Sequence, residues 1–312
     1  MQAAPVCQAC GQGIYGAYIT ALDATWHPAH FCCAVCRLPL SDATFYRHEG
    51  HAYHEACYQQ RIAPRCTCCG QPMLGAYLED SWGSRFCREH LGQYPACVFC
   101  GRLVPPRHQA HAAAPTHGLR CPVCRSSAIE QIEPARPLFA SLVQWVNRQG
   151  LLYGNLDLRI ELRNRAQLAQ IHAAHPPGGV LGTTLRTSYT QDGKLVRTEI
   201  NGVAILRGLP AMLFQGVTVH ELGHAWLGVQ GIVDLPDWAE EGFCELLAYR
   251  FYTQAATTDS RFYAAAITRN PDPVYGIGFQ RVQQAAQRAG SFSHLMGYLQ
   301  TTRGWPSLAA LS

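Results

Sequence analysis

Regularly spaced pairs of cysteine and histidine in the first 124 residues constrain this chain more than any other feature. Fourteen of the fifteen cysteines precede residue 125, and Cys244 alone lies beyond it. Most of these cysteines belong to Cys-x2-Cys, His-x2-Cys or Cys-x2-His pairs, and His27-x2-His30 is a further pair of the same spacing. Loops of 16 to 20 residues connect the two pairs of each predicted site. Two such pairs supply four nitrogen or sulfur ligands, the set that a tetrahedral zinc site requires. The pattern therefore predicts two small zinc-stapled β-hairpin modules with two zinc sites each.

The same cysteines favour metal binding over a disulfide framework. Residues 1–5 have neither the basic nor the apolar part of a secretory signal, and no run approaches the roughly 18 apolar residues that span a membrane. The formal net charge is +4 with only 15% charged residues, which disfavours nucleic-acid binding. We therefore expect a cytoplasmic protein with reduced thiols and with neither a membrane nor a nucleic-acid partner.

The first module resembles a LIM domain. Trp26-His27-Pro28-Ala29-His30-Phe31-Cys32-Cys33 is similar to the W-H-x-x-C-F-x-C centre of LIM domains, with His30 in place of the usual cysteine. Residues 1–62 are predicted to form this domain, which depends on its zinc ions because so small a module cannot bury a sufficient core. LIM domains mostly bind proteins, so the resemblance implies a protein partner. The predicted ligands are Cys7, Cys10, His27 and His30 in one site and Cys33, Cys36, His54 and Cys57 in the other.

A second, divergent zinc region is predicted for residues 63–130. Six residues separate its two sites, where a LIM domain has two, so we describe the region as LIM-like. The spacing fits a RING cross-brace poorly, and the scarcity of clustered Lys and Arg disfavours a nucleic-acid-binding ribbon. Cys32 and Cys68 are out of register, and His117 is the alternative ligand. The predicted ligands are Cys66, Cys69, Cys87 and His90 in one site and Cys97, Cys100, Cys121 and Cys124 in the other.

A different metal motif follows at His220-Glu221-Leu222-Gly223-His224. On a helix, His220 and His224 share one face and bind one metal ion, while Glu221 can take a proton from a metal-bound water. The later phrase Trp238-Ala239-Glu240-Glu241-Gly242-Phe243 resembles the W-x-N-E-G-F of gluzincin aminopeptidases, in which the glutamate before the glycine is the third zinc ligand. Three protein ligands with one open position are typical of a catalytic zinc, and the resemblance assigns the third to Glu241.

Several neighbouring residues are further candidates. Glu240 and Glu245 stay open as alternative third ligands, and Glu245 is also placed to hydrogen-bond a ligating histidine. Tyr275 is preferred to Tyr249 and Tyr298 as the donor that stabilises an oxyanion. Cys244, a lone cysteine on a helix, is interpreted as a small core residue and not as a nucleophile.

The segment 131–312 is predicted to form an α+β domain with a mainly helical C-terminal part. Periodicity predicts a helix around residues 138–146, a strand at 156–162 and a helix at 163–174. Two β-prone runs flank Asp192-Gly193 as a hairpin, and an edge strand there could pair with a peptide substrate. Helices are expected from Pro210 to about Gly231, from about Asp237, and at roughly 261–268, 273–289 and 292–300.

Taken together, the chain resembles the LIM-containing, ubiquitin-activated growth-regulating peptidases of plants, the "DA-one" family, and their bacterial relatives. Further matching phrases are His54-Glu55-Ala56-Cys57-Tyr58, Gly208-Leu209-Pro210 and Pro273-Val274-Tyr275-Gly276-Ile277-Gly278-Phe279. The resemblance implies a gluzincin-like zinc endopeptidase acting on proteins, with one catalytic and four structural zinc ions. Plant members carry ubiquitin-interacting helices before the LIM domain. Since Cys7 leaves no room for them, we expect a compact, bacterial-type member in which ubiquitin activation is not implied.

Two other functions compete with this hypothesis. One is a LIM adaptor whose peptidase-like domain binds without cutting, which the complete set of His220, Glu221, His224 and Glu241 disfavours. The other is an aminopeptidase, which needs an acidic motif upstream of the metal helix to bind a free N-terminus. Glu199 is the isolated acidic residue there.

Overall fold

The computed structural model describes residues 4–40, 44–109, 113–114, 118–171, 179–191 and 194–305. The chain divides into two compact units, Met1–Pro95 and Ala96–Ser312. This division falls between the third and fourth predicted zinc sites. The predicted boundaries near residues 62 and 130 are a different partition and stay predictions.

Short antiparallel hairpins form the first unit, as the zinc-stapled pattern predicts. The turn between the first two strands has positive φ at both Leu22 and Asp23, +54° and +61°, and this is the geometry of a tight type I′ hairpin turn. A small core forms around Phe31, Leu40 and Tyr53. The elements are β1 (Ile19–Ala21), β2 (Ala24–Trp26), β3 (Tyr46–His48), β4 (His51–Tyr53), α1 (Glu55–Arg61), β5 (Tyr77–Glu79) and β6 (Arg85–Cys87), paired as β1–β2, β3–β4 and β5–β6.

The second unit is mainly helical, which confirms the predicted α+β class. None of its helices, within the described ranges, is both long and apolar enough to cross a membrane. Its elements are α2 (Pro106–Gln109), β7 (Ala113–Ala114), β8 (Gly118–Leu119), α3 (Pro122–Ser126), β9 (Ala128–Ile129), α4 (Ile132–Arg148), β10 (Arg159–Arg163), α5 (Arg165–Ile171), β11 (Gly182–Gln191), β12 (Lys194–Leu206), β13 (Leu209–Pro210), α6 (Ala211–Val229), α7 (Asp237–Ala255), α8 (Thr258–Arg269), α9 (Gly276–Arg288) and α10 (Phe292–Thr302).

A three-stranded sheet precedes the metal helix. Its order is β10-β12-β11, so β12 is central and β11 lies at an edge. β11 and β12 are antiparallel, which confirms the predicted hairpin, although its turn at 192–193 is outside the described residues. β10 pairs with β12 in parallel. It begins at Arg159, three residues later than the alternation predicted.

Helix α6 is buried on nearly every side. Pro210 precedes it with φ −57° and ψ 144°, so the chain enters the helix from an extended residue. Its Trp226 is fully buried and stacks on Phe243 of α7 with ring centroids 5.5 Å apart. Phe243 stacks in turn on Phe292 of α10, also at 5.5 Å. This column of aromatic rings packs α6 against α7. Burial of each ring contributes roughly 1.5–3 kcal/mol to the free energy of folding.

Candidate metal centre

Helices α6 and α7 bring the predicted third ligand to the histidine pair. His220 and His224 are one turn apart on α6, and their Nε2 atoms lie 3.2 Å from each other. Glu241 reaches across from α7, with its Oε2 3.1 Å from Nε2 of His220 and 3.4 Å from Nε2 of His224. The side chains remain 13–21% exposed, so the cluster opens to solvent. The three donor atoms therefore form a small triangle with an accessible side.

The dimensions of this triangle suit zinc. When nitrogen and oxygen ligands lie about 2.0–2.2 Å from a tetrahedral zinc ion, two of them are about 3.3–3.6 Å apart. The separations here, 3.1, 3.2 and 3.4 Å, are close to that range. Three donors would occupy three corners of the tetrahedron and leave the fourth for a water or a substrate oxygen.

The two neighbouring glutamates contact the outer nitrogens of the same histidines. Glu240 Oε1 lies 2.9 Å from Nδ1 of His224, and Glu245 Oε1 lies 3.5 Å from Nδ1 of His220. A carboxylate on the outer nitrogen fixes the tautomer and the ring orientation of a metal-binding imidazole. Glu245 thus has the position predicted for it. The contact of Glu240 was missed, because adjacent residues on a helix point about 100° apart and the sequence does not fix the rotation of α7.

Glu241 is held as a carboxylate by the histidines. Its burial by itself would raise its pKa, but hydrogen bonds with His220 and His224 lower the pKa of Glu241 well below its usual range. Burial also raises the pKa of Glu245, and the charge of His220 opposes that shift. A carboxylate and neutral imidazoles are the forms that bind a metal ion, so protons and metal compete for this site.

Glu221 is hydrogen-bonded to the edge strand β11. The hydroxyl of Thr184 lies 2.8 Å from the backbone oxygen of Glu221 and 3.1 Å from its Oε2. Two residues earlier on the same face, Gly182 makes room for this contact, because a Cβ there would lie 2.9 Å from Cγ of Glu221. Sequence reasoning missed Thr184. The available signal was its position on the predicted edge strand just before the metal helix.

Cys244 lies beside the histidines as a buried thiol. Its sulfur and one nitrogen of each of His220 and His224 all lie within 4.8 Å of one another. Glu241 places its Oε2 3.1 Å and 3.4 Å from the two Nε2 atoms and is held as a carboxylate, whereas Cys244 is held as a thiol, so Glu241 is the better third ligand. Burial raises the pKa of Cys244 to about 12, and its side chain is fully buried. These properties suit a core residue better than a nucleophile.

Tyr275, the preferred candidate of the three tyrosines, has a pKa that is affected by the charge of Glu241. Burial, followed by the negative charge of Glu241, raises its pKa to about 12. Asp272 holds the turn before it by accepting hydrogen bonds from the backbone N–H of Val274 at 2.8 Å and of Tyr275 at 2.9 Å. Of the other two candidates, Tyr249 packs its ring against Phe279 and Tyr298 is half-buried on α10.

The four sets of predicted structural ligands also come together. In each set the donor atoms lie within 4.8 Å of one another, and every cysteine is a free thiol. Tetrahedral zinc sites place such donors about 3.5–3.8 Å apart, whereas a disulfide joins sulfurs at about 2.05 Å. Observed separations are 3.6 Å for Cys7–His30, 3.5 Å for Cys10–His27, 3.3 Å for Cys36–His54, 3.3 Å for Cys66–His90 and 3.6 Å for Cys100–Cys121.

Backbone amides favour the thiolate form of Cys66. Burial by itself would raise the pKa of Cys66, but backbone N–H groups, among them those of Cys87 and Cys68, donate to its sulfur and lower its pKa to about 6. A thiolate is the form that binds zinc. Cys32 and Cys68 lie outside the clusters, as predicted. The alternative ligand His117 is outside the described residues.

Two protein-family models match separate parts of the chain. A LIM domain model matches residues 7–62, and the model for Protein DA1 matches residues 170–261, which include His220, His224 and Glu241. Protein DA1 of Arabidopsis thaliana is 24% identical over 370 residues, covering 96% of this chain and 68% of its own length. The chain is homologous to the plant DA1 proteins. It therefore combines a LIM domain, a zinc-binding module, with a DA1-like domain.

Two further relatives are also similar to this chain over most of its length. LIM domain-containing protein HDR3 of Oryza sativa subsp. japonica is 24% identical over 374 residues, covering 96% of this chain and 74% of the relative. Protein DA1-related 1 of Arabidopsis thaliana is 26% identical over 286 residues, covering 78% of this chain and 50% of the relative. The homology thus extends over most of this chain, whereas up to half of a relative lies outside it.

Proposed function

We propose that this protein is a zinc-dependent endopeptidase that hydrolyses peptide bonds in protein substrates. The observation that carries the proposal is the triangle of donor atoms from His220, His224 and Glu241. Its dimensions suit zinc, and its accessible side would leave the fourth coordination position of a tetrahedral zinc open to solvent. A bound zinc would polarise the scissile carbonyl and lower the pKa of a water molecule towards neutrality. The presence of a carboxylate, Glu221, next to this triangle separates a hydrolytic centre from a structural zinc site.

The side chains around the triangle have distinct roles in this reaction. Glu221 accepts a proton from the attacking water and delivers it to the leaving amine. Glu240 and Glu245 hold the two imidazoles in the orientation that metal binding requires. Tyr275 donates its phenolic proton towards the oxygen that becomes negative as the carbonyl is attacked. The pKa of Tyr275, raised by burial to about 12, leaves this proton on the phenol at neutral pH, as an ordinary tyrosine pKa also would.

The edge strand β11 offers a binding site for an extended peptide. The backbone oxygen of Leu181 accepts from N–H of Leu206 at 2.8 Å, so Leu181 faces β12. Because backbone groups alternate along an antiparallel pair, Gly182 and Thr184 turn theirs towards the open edge. Thr184 also contacts Glu221. A substrate paired with this edge would be bound by its main chain beside the base, and such binding needs no free terminus. This supports an endopeptidase over an aminopeptidase.

The isolated acidic candidate for binding an N-terminus is engaged elsewhere. Glu199 Oε2 accepts a hydrogen bond of 3.0 Å from the hydroxyl of Tyr189, across the β11–β12 hairpin. Its role there is to join two strands at a solvent-facing position. This contact gives no support to an amine-binding site at Glu199.

The LIM region is proposed to recruit a protein substrate or partner. Its surface carries large apolar side chains, and Tyr15 and Leu38 are 93% and 63% exposed. Aromatic residues of this kind are enriched where proteins bind one another. Ubiquitin is one partner that a binding experiment with the LIM region can include.

Replacement of Glu221 by glutamine tests the proposal. The intact chain is expected to carry five zinc ions, one for each ligand set, and Glu221→Gln should keep all five because it alters no ligand. Cleavage of an unfolded protein substrate should fall by about 10²- to 10⁴-fold, since the general base is lost. Zinc content by mass spectrometry and cleavage by gel electrophoresis are the readouts.

The adaptor alternative makes a different prediction. A wild-type chain with four zinc ions, with His220→Ala leaving that number unchanged, would show that the α6–α7 centre holds no metal. Equal cleavage by the wild type and Glu221→Gln would also refute the peptidase proposal.

A further inference from the structure

The fourth cysteine cluster belongs to the same compact unit as α6 and α7. Cys97, Cys100, Cys121 and Cys124 lie after the division at Pro95–Ala96. All four are buried, with 2–3% exposure, whereas each of the other three clusters contains an exposed cysteine. The six-residue spacer before Cys97 departs from the two-residue spacer of a LIM domain. Both observations separate this cluster from the LIM-like modules before it.

A short backbone path leads from the cluster to the metal helix. Helix α3 (Pro122–Ser126) follows Cys121, and Ser127 is its C-cap. The backbone oxygen of Ser127 accepts a 2.9 Å hydrogen bond from N–H of Ala211, the first residue of α6. The next two residues form β9, which pairs with β13 immediately before α6. N–H of Gly208 adds a 2.8 Å bond to the oxygen of Ile129.

Arg120, the residue before Cys121, strengthens this connection. Its Nη1 donates to Glu130 Oε1 at 2.7 Å and to the backbone oxygen of Gly208 at 2.9 Å. The arginine side chain is only 10% exposed, whereas the Glu130 side chain is 43% exposed, so the contact is buried on the arginine side. Gly208 has φ +87°, and a Cβ there would lie 2.8 Å from Nη1 of Arg120. The glycine is therefore required both by the turn and by the close approach of the arginine.

We infer that the fourth cluster is a structural zinc site of the second unit that fixes the start of α6. The first N–H groups of a helix have no partner within it, and Ser127 supplies one to the N–H of Ala211. The position of Ser127 depends on α3, which begins directly after Cys121 and contains Cys124, so two ligands of the cluster hold this short helix. Zinc at this cluster therefore holds the helix that carries His220 and His224 in register with α7. The inference concerns metal and helix, and does not depend on which reaction the centre catalyses.

Two matched cysteine variants of the full-length chain test the inference. Cys121→Ser removes one ligand of the fourth cluster while serine keeps the N-cap of α3. Cys66→Ser removes an equally buried ligand of the third cluster, in the other unit. Each variant should lose one zinc ion. Hydrogen exchange at the amides of Gly208 and Ala211 should accelerate by about tenfold or more in Cys121→Ser, and should be unchanged in Cys66→Ser.

A second pair of variants leaves every zinc ligand in place. Ala211→Pro deletes the N–H that binds Ser127, yet proline suits the first turn of a helix, and ψ 144° at Pro210 suits a following proline. Ala211→Ser keeps the N–H and is the control. Ala211→Pro should keep the wild-type zinc content while the amides of α6 following Ala211 exchange faster and metal dissociates more readily from the α6–α7 centre.

Two results would overturn the inference. One is wild-type exchange at Gly208 and Ala211 in Cys121→Ser despite the loss of one zinc ion. The other is wild-type exchange and metal retention in Ala211→Pro. Neither readout uses peptide cleavage, so the failure of this inference and that of the proposed function are distinguishable.

Discussion

At the scale of single residues, three glutamates close together on α7 have three different surroundings. Glu241 contacts the inner nitrogens of both histidines, while Glu240 and Glu245 each contact the outer nitrogen of one. Successive helical residues differ by about 100° in direction, so one helix can serve both faces of the histidine pair. The sequence offers all three as candidates, and only the rotation of α7 about its axis assigns them.

We predict that Glu240→Ala and Glu245→Ala weaken metal binding without abolishing it. Loss of a carboxylate behind a ligating histidine typically costs about 10- to 100-fold in metal affinity. Glu241→Ala should lower affinity further, since it removes a ligand. Affinity is measured by competition with a chelator of known strength. Asp237→Asn, an exposed change on the same helix, is the control. If Glu240→Ala binds metal as tightly as this control, the proposed role of Glu240 is wrong.

Thr184 gives a second prediction at this scale. Thr184→Val keeps the shape of the side chain but removes the hydroxyl that contacts Glu221. A hydrogen bond to a charged group contributes about 1.5–3 kcal/mol, so we expect kcat to fall by about tenfold or more with zinc content unchanged. Thr184→Ser should restore most of the activity because it retains the hydroxyl. An unchanged kcat in Thr184→Val, or no rescue by serine, would contradict this positioning role.

At the scale of helices and strands, helices α7 and α9 contact each other at two glycines, Gly242 and Gly278. A Cβ on Gly242 of α7 would lie 2.5 Å from the backbone oxygen of Gly278 on α9, and one on Gly278 would lie 2.3 Å from the backbone oxygen of Trp238. Backbone therefore packs directly on backbone where α7 crosses α9. This crossing places Tyr275, which immediately precedes α9, near Glu241.

Glycine-to-alanine variants test this crossing. Gly242→Ala and Gly278→Ala each force a methyl group against backbone, and we expect each to destabilise the unit by about 1–3 kcal/mol. Gly297→Ala is the matched control, because Gly297 lies on an exposed face of α10 and a Cβ added there would meet no atom within 4 Å. That change should stabilise the protein by up to about 1 kcal/mol through helix propensity. Thermal unfolding measures all three, and a neutral Gly242→Ala would contradict the predicted contact.

Sequence patterns predict the individual helices and strands of this unit better than they predict which of these elements pair or pack together. The β11–β12 hairpin and the five C-terminal helices follow from alternation, turn residues and Pro210. The parallel pairing of β10 with β12 does not, because it joins segments about 40 residues apart. Helix α6 shows a further limit. Its Phe214, Leu222 and Leu227 are fully buried whereas Leu213 and Val217 are half-buried. A helix covered on nearly every side has no single apolar face from which such differences could be predicted.

At the scale of the whole chain, we expect metal ions to stabilise the two compact units to different degrees. The first unit consists of short hairpins with a small core around Phe31, Leu40 and Tyr53, and modules of this size usually need a metal to stay folded. The second unit has an extensive helical core of its own, including Phe214, Trp226 and Phe243. Removal of zinc should therefore unfold the first unit more completely than the second.

Stepwise chelation tests this difference. The α6–α7 centre has three protein ligands and an accessible side, so a mild chelator should remove its zinc first. Loss of about one zinc ion per chain should stop cleavage with little change in circular dichroism, and added zinc should restore it. A stronger chelator should then remove zinc from the four-ligand clusters and expose residues 1–95 to limited proteolysis before most of 96–312. Loss of all five ions in one step, with both units unfolding together, would contradict the assignment of one open centre and four closed sites.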